Sequence, residues 1–472
     1  MPQTGPSMSL ALGVRLEGDQ HSYSPGDTII GYAYRRSPVV SPDSSVTVSL
    51  SGRTKSKIVV HRTNSTSTYR GRFNLISESA CSQKVFQGPF HIESGGDEQT
   101  WPFAITLPKH VDPRYLQDGG QDESFLPLGA TDHVLPSTYT LRSPGNTEGF
   151  VEYFVKATLR VTGKGNINMT EALLPFNVIN LSPDPPIANF WLKGSRSRQT
   201  MSSYRLVPGM EDAKLSFSQK MKQTFSTSSV PEFAYDLLVD VPTVIQLDNP
   251  TPIPFKLRAL PDLNGTSETI KEIPQKVKLS SVSIRIVSST EVICEGSLFP
   301  HKKEKHEEID LCVESAIGSI KHDIYIPCTH ESPPLDIGNM IDLRLGKLRP
   351  GFPHKPGGGY VQFNPTFTTY NIRHSHRLTW KVQGEIAGQR FRALGTVALK
   401  ILMPSNEQGR QGEKDSFQRA ETQAAFDGAP GPSQLRRNES WIQPPDEGDA
   451  PPSFTEVVNE EKGAHVAEKS SK

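Results

Sequence analysis

The chain has 472 residues, of which 35% are apolar and 22% charged, and its 51 Lys plus Arg are balanced by 51 Asp plus Glu. A balanced charge gives no basic field for nucleic acid, so we expect no nucleic-acid partner. The length suggests about three domains of roughly 150 residues each. The 37 glycines and 39 prolines favour a fold that is rich in turns.

Cysteine spacing and the N-terminal sequence bear on metals and compartment. The cysteines at positions 81, 294, 312 and 328 form no Cys-x-x-Cys pair and no zinc-finger spacing with histidine, so we expect reduced thiols, no bound metal and no cofactor. Residues 1–20 lack the basic lead and the cleavage site of a signal peptide. No segment approaches the roughly 18 to 20 apolar residues that span a bilayer. These features predict a cytoplasmic protein.

Apolar and polar residues alternate with a period of two in several segments, which is typical of half-buried strands. The pattern occurs, in chain order, at 46–50, 103–107, 151–161, 282–286, 378–382 and 397–401. Turn-forming residues separate these segments, and no long segment has apolar residues at helical spacing. The folded part is therefore predicted to be all-β, with two antiparallel immunoglobulin-like β-sandwiches.

Changes in composition divide the chain into four parts. Pro183, Pro185 and Pro186 disfavour sheet pairing and predict an extended connector. Residues 193–229 are rich in Ser, Lys and Arg, and we expect a mobile basic insertion there. Beyond residue 403 the sequence is polar and mildly acidic, which predicts disorder. The expected parts are a first sandwich over 1–179, a Pro-rich linker and basic insertion over 180–231, a second sandwich over 232–403 and a disordered tail over 404–472.

Several motifs in the first sandwich occur in a defined order. They are YSPGDTIIG at 23–31, the strand at 46–53 that ends in Gly52 and Arg53, the strand at 101–108, Leu135 to Tyr139, and the alternating strand from Gly149 to Leu159. In order and spacing they resemble the N-terminal domain of arrestins, in particular the fungal α-arrestins. Residues 252–261, the strand around Val282 and the segment 369–382 resemble the arrestin C-terminal domain more loosely. The resemblance covers about residues 10–403 and implies the arrestin fold.

The resemblance implies an adaptor that links membrane transporters or receptors to a HECT-type ubiquitin ligase for endocytosis and protein transport. In the family a PPxY motif binds a WW domain of the ligase through paired prolines and a tyrosine. Here Pro451, Pro452 and Phe454 form a degenerate version of that motif. Phenylalanine keeps the ring but loses a hydrogen bond worth about 0.5 to 1.5 kcal/mol, so we expect docking that is weakened but retained.

Other functions stay open beside the adaptor. One is an arrestin-fold scaffold for endosomal sorting or ambient-pH signalling that recruits no ligase, and another is a carbohydrate-active β-sandwich hydrolase, for which no convincing carboxylate pair is visible. The sequence has no GxSxG, HExxH or GxxxxGK[ST] motif, so we expect no enzymatic activity. An adaptor of this kind is expected at the plasma membrane or endosomes by peripheral recruitment, with the basic insertion as a candidate for contact with anionic lipid.

Three further groups of residues have a candidate chemistry. The mixed charges at 301–308 predict a solvated hairpin loop rather than a metal site. His374 and His376 project to one face of a strand, and we expect a structural pair at the surface rather than metal ligands. The resemblance also implies a buried charged cluster between the domains, for which Arg53, Arg70 and Asp240 are open candidates.

Overall fold

The structure, a computed structural model, describes residues 3–18, 22–119, 123–143, 146–163, 166–211, 213–225, 229–296, 299–346 and 363–406. The expected tail beyond residue 406 lies outside the described residues, and so do Pro451, Pro452 and Phe454.

Within the described residues, the first sandwich has ten strands in two sheets. The strands are β1 (Gly13–Leu16), β2 (Ser22–Tyr23), β3 (Thr28–Arg35), β4 (Val39–Arg62), β5 (Ser65–Ile76), β6 (Ser82–Ile92), β7 (Gln99–Thr106), β8 (Tyr139–Ser143), β9 (Thr147–Gly163) and β10 (Asn166–Val178). One sheet has the order β1-β3-β7. The larger sheet has the order β2-β10-β9-β4-β5, with β6 paired to β4 and β8 paired to β9. A 3-10 helix covers Pro113–Gly119 between β7 and β8.

The second sandwich contains the remaining strands, again in two sheets. They are β11 (Leu192–Ser202), β12 (Glu232–Pro242), β13 (Val244–Gln246), β14 (Lys256–Pro261), β15 (Val277–Cys294), β16 (His301–Asp310), β17 (Ile324–Ile326), β18 (Leu335–Asp336), β19 (Phe367–Thr368), β20 (Ile372–Ile386) and β21 (Gln389–Leu402). The helices are α1 (Phe217–Thr224), α2 (Val313–Gly318) and α3 (Ile337–Met340), with 3-10 turns at Tyr204–Leu206, Leu263–Gly265 and Glu268–Ile270.

The strand order of the second sandwich repeats the arrangement of the first, with a small sheet facing a large one. The small sheet has the order β11-β12-β14-β18, and the large sheet has the order β13-β21-β20-β15-β16 with β17 on β15 and β19 on β20. All strand pairs are antiparallel except β2 with β10 and β13 with β21. The prediction of an all-β chain with two sandwiches is confirmed.

The period-two pattern explains which side chains form the cores. In β20 the inward positions include Trp380 and Val382, both buried, while Thr379 and Lys381, at the alternate positions, face outward. In β9 the predicted inward residues are buried, except Val161, which is half-buried, but Glu152 and Phe154 on the opposite face are buried as well. Both faces of β9 are therefore covered, which alternation alone does not predict.

The expected mobile insertion at 193–229 differs from the structure, because its first third is strand β11. This strand pairs along its whole length with β12, from Leu192 opposite Pro242 to Ser202 opposite Glu232. Its own side chains are mostly exposed, and the apolar residues that anchor the hairpin belong to β12. The prediction was wrong here because a hydrophilic segment can form an edge strand when the strand beside it supplies the buried apolar side chains. The second sandwich consequently begins at Leu192 rather than at residue 232.

The charged segment at 301–308 is likewise a strand and not the predicted hairpin loop. It forms β16, which pairs with β15 at the edge of the large sheet, from His301 opposite Cys294 to Asp310 opposite Arg285. Most of its side chains are exposed, as expected for a solvated segment. Charged side chains on an edge strand discourage pairing with other chains, so the composition suits this position.

The two sandwiches meet at a packed seam. At the end of β15 and the start of β20, Val292 and Ile372 are 0% exposed and belong to the apolar core of the first sandwich. Gly149 in β9 makes this approach feasible, because a Cβ at that position would lie 3.3 Å from side-chain atoms of both residues. Cys294 and Tyr370 enter the same core. We call this region the seam.

Within the described ranges, the helices are too short and too polar for any of them to cross a lipid bilayer.

Shortening Ile372 to alanine should destabilise the protein, because the deleted atoms are fully buried in the seam. Such truncations in a core cost about 2 to 5 kcal/mol of unfolding free energy. The matched control is Leu394→Ala in the neighbouring strand β21, where the side chain is 65% exposed; it should change stability by less than about 0.5 kcal/mol. Urea unfolding of the full chain measures both, and equal effects would contradict the packing of the seam.

Candidate functional site

A buried chain of hydrogen bonds crosses the seam. Thr290 in β15 lies opposite His374 in β20. Its Oγ1 is 2.8 Å from His374 Nδ1 and 2.8 Å from the hydroxyl of Tyr139 in β8 of the first sandwich. All three side chains are buried. Because polar groups out of contact with water need partners, this chain fixes how the two sandwiches are oriented.

His376 extends the same buried group. Its Nε2 donates to the carbonyl of Asn364 over 3.1 Å, and its Nδ1 lies 2.9 Å from the hydroxyl of Ser288. The rings of His374 and His376 are 4.6 Å apart in a T-shaped arrangement. The prediction that both project to one face is confirmed, but the prediction of a surface pair was wrong, since they are only 5% and 3% exposed.

Burial controls the protonation of this pair. Desolvation, with a smaller contribution from the charge of His376, lowers the pKa of His374 from 6.5 to about 3. Desolvation also lowers the pKa of His376 to about 4, although the hydrogen bond to Asn364 opposes the change. Both imidazoles are neutral at physiological pH. No group of three or more His, Cys, Asp or Glu side chains among the described residues is arranged to hold a metal ion.

A second set of contacts at the seam involves β4 and β5. Ser56 Oγ donates to the carbonyl of Ile293 over 2.6 Å, and Asn371 Nδ2 donates to Ser56 Oγ over 3.2 Å. The ring of Tyr69 stacks on His301 with centroids 3.5 Å apart. Side-chain hydrogen bonds, aromatic stacking and apolar packing thus all join the sandwiches, which makes the seam a structural element rather than an open cleft.

A loop of the first sandwich also contacts the second sandwich. The amide of Phe125 donates to the carbonyl of Tyr370 over 2.8 Å. The guanidinium of Arg373 lies 4.4 Å from the centre of the Phe125 ring, and the Lys302 ammonium is 5.9 Å from it. Cations over an aromatic face add attraction to the contact. The seam therefore includes contacts well beyond its apolar centre.

Arg53, one of the open candidates for a charged cluster, does belong to one. Its Nε donates to Glu152 Oε1 over 2.7 Å, and Lys55 Nζ is 2.7 Å from the same oxygen. The amide of Thr4 donates to Glu152 Oε2 over 2.8 Å. Burial raises the pKa of Glu152, but the hydrogen bonds from Lys55, Thr4 and Arg53 outweigh it and hold that pKa below its usual value.

The position of this cluster differs from the one that the resemblance implies. Arg53 and Glu152 are paired on neighbouring strands of the first sandwich, so the cluster lies within one sandwich and not between two. Arg70 contributes its backbone carbonyl to the seam, accepting from the amide of Glu295 over 3.2 Å. Asp240 lies in β12 of the second sandwich. The side chains of these candidates are not brought together.

The solvent face of β20 and β21 carries a charge pattern that sequence reasoning missed. Besides Arg373, which pairs with Glu291, five cations project from it, and none of these five forms an ion pair with a carboxylate among the described residues; they are Arg377, Lys381, Arg390, Arg392 and Lys400. Glu385, opposite Arg390, is the one acidic side chain on the outward positions of these two strands. We call this surface the basic strip. These basic residues occupy the polar positions of the alternating pattern in the sequence. That pattern predicts each strand but does not show that the charges of two strands lie side by side.

The basic residues of the expected insertion lie in different environments. In β11, Arg196 pairs with Asp236 and Arg198 pairs with Asp262, so these charges are largely neutralised by the second sandwich itself. Lys193, also in β11, is exposed. Lys214, Lys220 and Lys222 lie in or beside α1 and are exposed as well.

Neither protein-family models nor curated proteins gave a match to this chain. The family resemblance therefore stays a prediction. The expected ligase-docking residues Pro451, Pro452 and Phe454 lie outside the described residues, so the candidate surfaces of the folded part are the seam and the basic strip.

Acid should destabilise the protein through His374. The unfolded chain binds a proton near pH 6.5, whereas the folded chain does so only near the lowered pKa of about 3. Stability is therefore fully present above about pH 6.5 and falls below it, by up to about 1.4 kcal/mol per pH unit for each such histidine. In His374→Asn, which keeps an acceptor for Thr290, the fall between pH 6 and 4 should be shallower by about that amount.

Urea unfolding at a series of pH values measures this difference, because other titrating groups contribute equally to both proteins. His322→Asn is the matched control, since it removes one histidine from an exposed position. A His374→Asn protein with the wild-type slope would contradict the buried, neutral state of the imidazole.

The basic strip should bind acidic peptides. Reversing two of its charges in the double variant Arg390→Glu, Arg392→Glu should weaken binding of a labelled glutamate-rich peptide about tenfold at low salt, since each exposed ion contact contributes about 0.2 to 1 kcal/mol and reversal adds repulsion. Fluorescence anisotropy measures the affinity. The control Lys303→Glu, Lys305→Glu makes the same change of net charge in β16. Equal losses in both variants would show that only net charge matters.

Proposed function

We propose that the protein is an adaptor that links membrane-protein cargo to a HECT-type ubiquitin ligase, for ubiquitin-dependent endocytosis and protein transport. The observation that carries the proposal is the order of the motifs, which fall on β2 and β3, on β4, on β7, at the start of β8 and on β9 of the first of two joined sandwiches. The YSPGDTIIG motif forms the end of β2, a turn and the start of β3. Gly26, in the turn, has a φ of 100°, which suits glycine. Gly149, in the last motif, lies at the seam.

The folded part would supply the cargo-binding surface. The basic strip is suited to acidic cytosolic segments of transporters or receptors, because its five cations have no carboxylate partners among the described residues. Extended acidic peptides would meet a flat sheet face with regularly spaced positive charges. The second sandwich would therefore bind the cargo.

The ligase would bind elsewhere in the chain, at Pro451, Pro452 and Phe454. Paired prolines favour the polyproline II conformation that WW domains bind, and the Phe454 ring would occupy the site of the usual tyrosine ring. Because cargo and ligase would be bound by one chain, the ligase would act on the cargo at a high effective concentration. Even a weak docking motif is useful under those conditions.

Membrane cargo requires the adaptor to act at a membrane. We propose a cytoplasmic protein that is recruited peripherally to the plasma membrane or endosomes, with lipid contact through the basic residues of the 193–229 segment. The exposed lysines in and beside α1 are candidates for that contact. We propose no enzymatic activity, and the buried histidines of the seam serve a structural role in this account.

One observation favours a second candidate function. The motif at 451–454 lacks the tyrosine hydroxyl, so an arrestin-fold scaffold for endosomal sorting or ambient-pH signalling, without ligase recruitment, is the alternative. The two functions share the folded body and differ only in ligase binding. An experiment on ligase binding therefore separates them.

Full-length protein should bind an isolated WW domain of a HECT-type ligase with micromolar affinity. Phe454→Tyr should tighten binding about three- to tenfold, because it restores one hydrogen bond. The double variant Pro451→Ala, Pro452→Ala should abolish binding, whereas Pro444→Ala, Pro445→Ala removes two nearby prolines as a control and should bind normally. Calorimetric titration measures all four. If the wild type does not bind while Phe454→Tyr does, the scaffold function is favoured instead.

A further inference from the structure

The connection between β11 and β12 contains a helix with its own capping. Ser216 precedes α1, and its Oγ accepts from the amide of Gln219 over 3.2 Å. In return, Gln219 Oε1 accepts from the amide of Ser216 over 2.8 Å. An eight-residue helix is marginal in water, and a capping box of this kind favours its formation. The local sequence thus encodes a short helix within a hydrophilic connection.

This helix carries an apolar stripe that faces solvent. Phe217 is 80% exposed, Met221 43% and Phe225 69%. Their spacing of four residues places them on one side of α1 and its C-terminal cap. Three large apolar side chains side by side on a surface indicate an interaction site, whereas single exposed ones do not.

The helix is attached at the end of the second sandwich that is remote from the seam. Ser203 Oγ donates to the carbonyl of Ala387 in the turn between β20 and β21, over 3.2 Å. Gln275 Nε2 donates to the carbonyl of Leu206 over 3.3 Å. β20 starts at the seam and runs 15 residues to this turn, a distance of about 50 Å at roughly 3.3 Å per residue. The stripe is therefore displayed at a tip of the molecule.

The charged residues within 213–225 are all of one sign. Residues 213–225 contain no Asp or Glu, and Lys214, Lys220 and Lys222 are exposed beside the apolar side chains. An apolar face next to lysines is the composition of helices that lie in the headgroup region of a bilayer. Anionic lipids attract such lysines, and the apolar side chains then enter the acyl boundary.

We propose that α1 is a membrane-insertion element, which places Phe217, Met221 and Phe225 in the interface of an anionic lipid bilayer while Lys214, Lys220 and Lys222 contact the headgroups. The proposal deepens the lipid contact of the proposed function and rests on the membrane recruitment stated there, but not on ligase binding. A bilayer fits better than a protein groove because the stripe is short, lies at a tip and belongs to a segment, 213–225, whose only charged side chains are lysines.

Vesicle co-sedimentation of the full-length protein tests the proposal. The wild type should bind vesicles of phosphatidylcholine with about one third phosphatidylserine, and bind pure phosphatidylcholine at least tenfold more weakly. The double variant Phe217→Ser, Phe225→Ser should lose at least tenfold in affinity for the anionic vesicles. The matched control Leu10→Ser, Leu394→Ser changes two side chains that are 66% and 65% exposed and lie outside α1. It should bind like the wild type.

Insertion is distinguished from surface adsorption with Phe217→Trp. The tryptophan emission should shift to shorter wavelength and become shielded from a soluble quencher when anionic vesicles are added. Wild-type binding by the double serine variant, or no vesicle binding by the wild type, would overturn the proposal, and the second result would favour a protein partner for the stripe. WW-domain binding by the double serine variant should be unchanged, so failure of this proposal is separable from failure of the ligase-adaptor function.

Discussion

The burial of β15 and β20 side chains in the core of the first sandwich is the constraint on which the rest of the structure depends. Val292 and Ile372 are fully buried there, against the strand that carries Gly149. Burying such side chains is the main favourable term in folding. The hydrogen bonds that join Tyr139, Thr290 and His374 fix the relative orientation of the two sandwiches, because a buried polar group is costly unless its partner is in place. The two sandwiches accordingly belong to one compact unit.

This constraint also determines which surfaces are available for binding. Since β20 must direct Trp380 inward, Lys381 and the other alternate residues face solvent, and pairing with β21 aligns their charges in the basic strip. The strand runs from the seam to the turn beside the base of the α1 connection. A joined pair of sandwiches thus presents a cationic sheet face along one sandwich and an apolar, lysine-rich helix at its tip. The proposed function assigns cargo binding to the first of these surfaces and lipid contact to the second.

The sequence predicted those parts of the fold that depend on local alternation, and it failed where distant neighbours decide. The strands around Val151 and Val282 were predictable because each has its own apolar face. β11 and β16 were missed because their pairing depends on the apolar strands β12 and β15 beside them. His374 was assigned to the surface because its cover, Tyr139 and Phe367, comes from other elements. Glu152 is paired with Thr4, a contact across 148 positions that no local pattern contains.

Scanning calorimetry of the full-length protein tests the central claim, that the seam makes the two sandwiches a single cooperative unit. The account predicts one unfolding transition in which the calorimetric enthalpy equals the van't Hoff enthalpy, since neither sandwich can lose its fold while the other keeps the shared core. Two resolved transitions, each with its own enthalpy ratio near unity, would contradict it. That result would mean that the contacts around Ile372 and His374 join two independently stable domains.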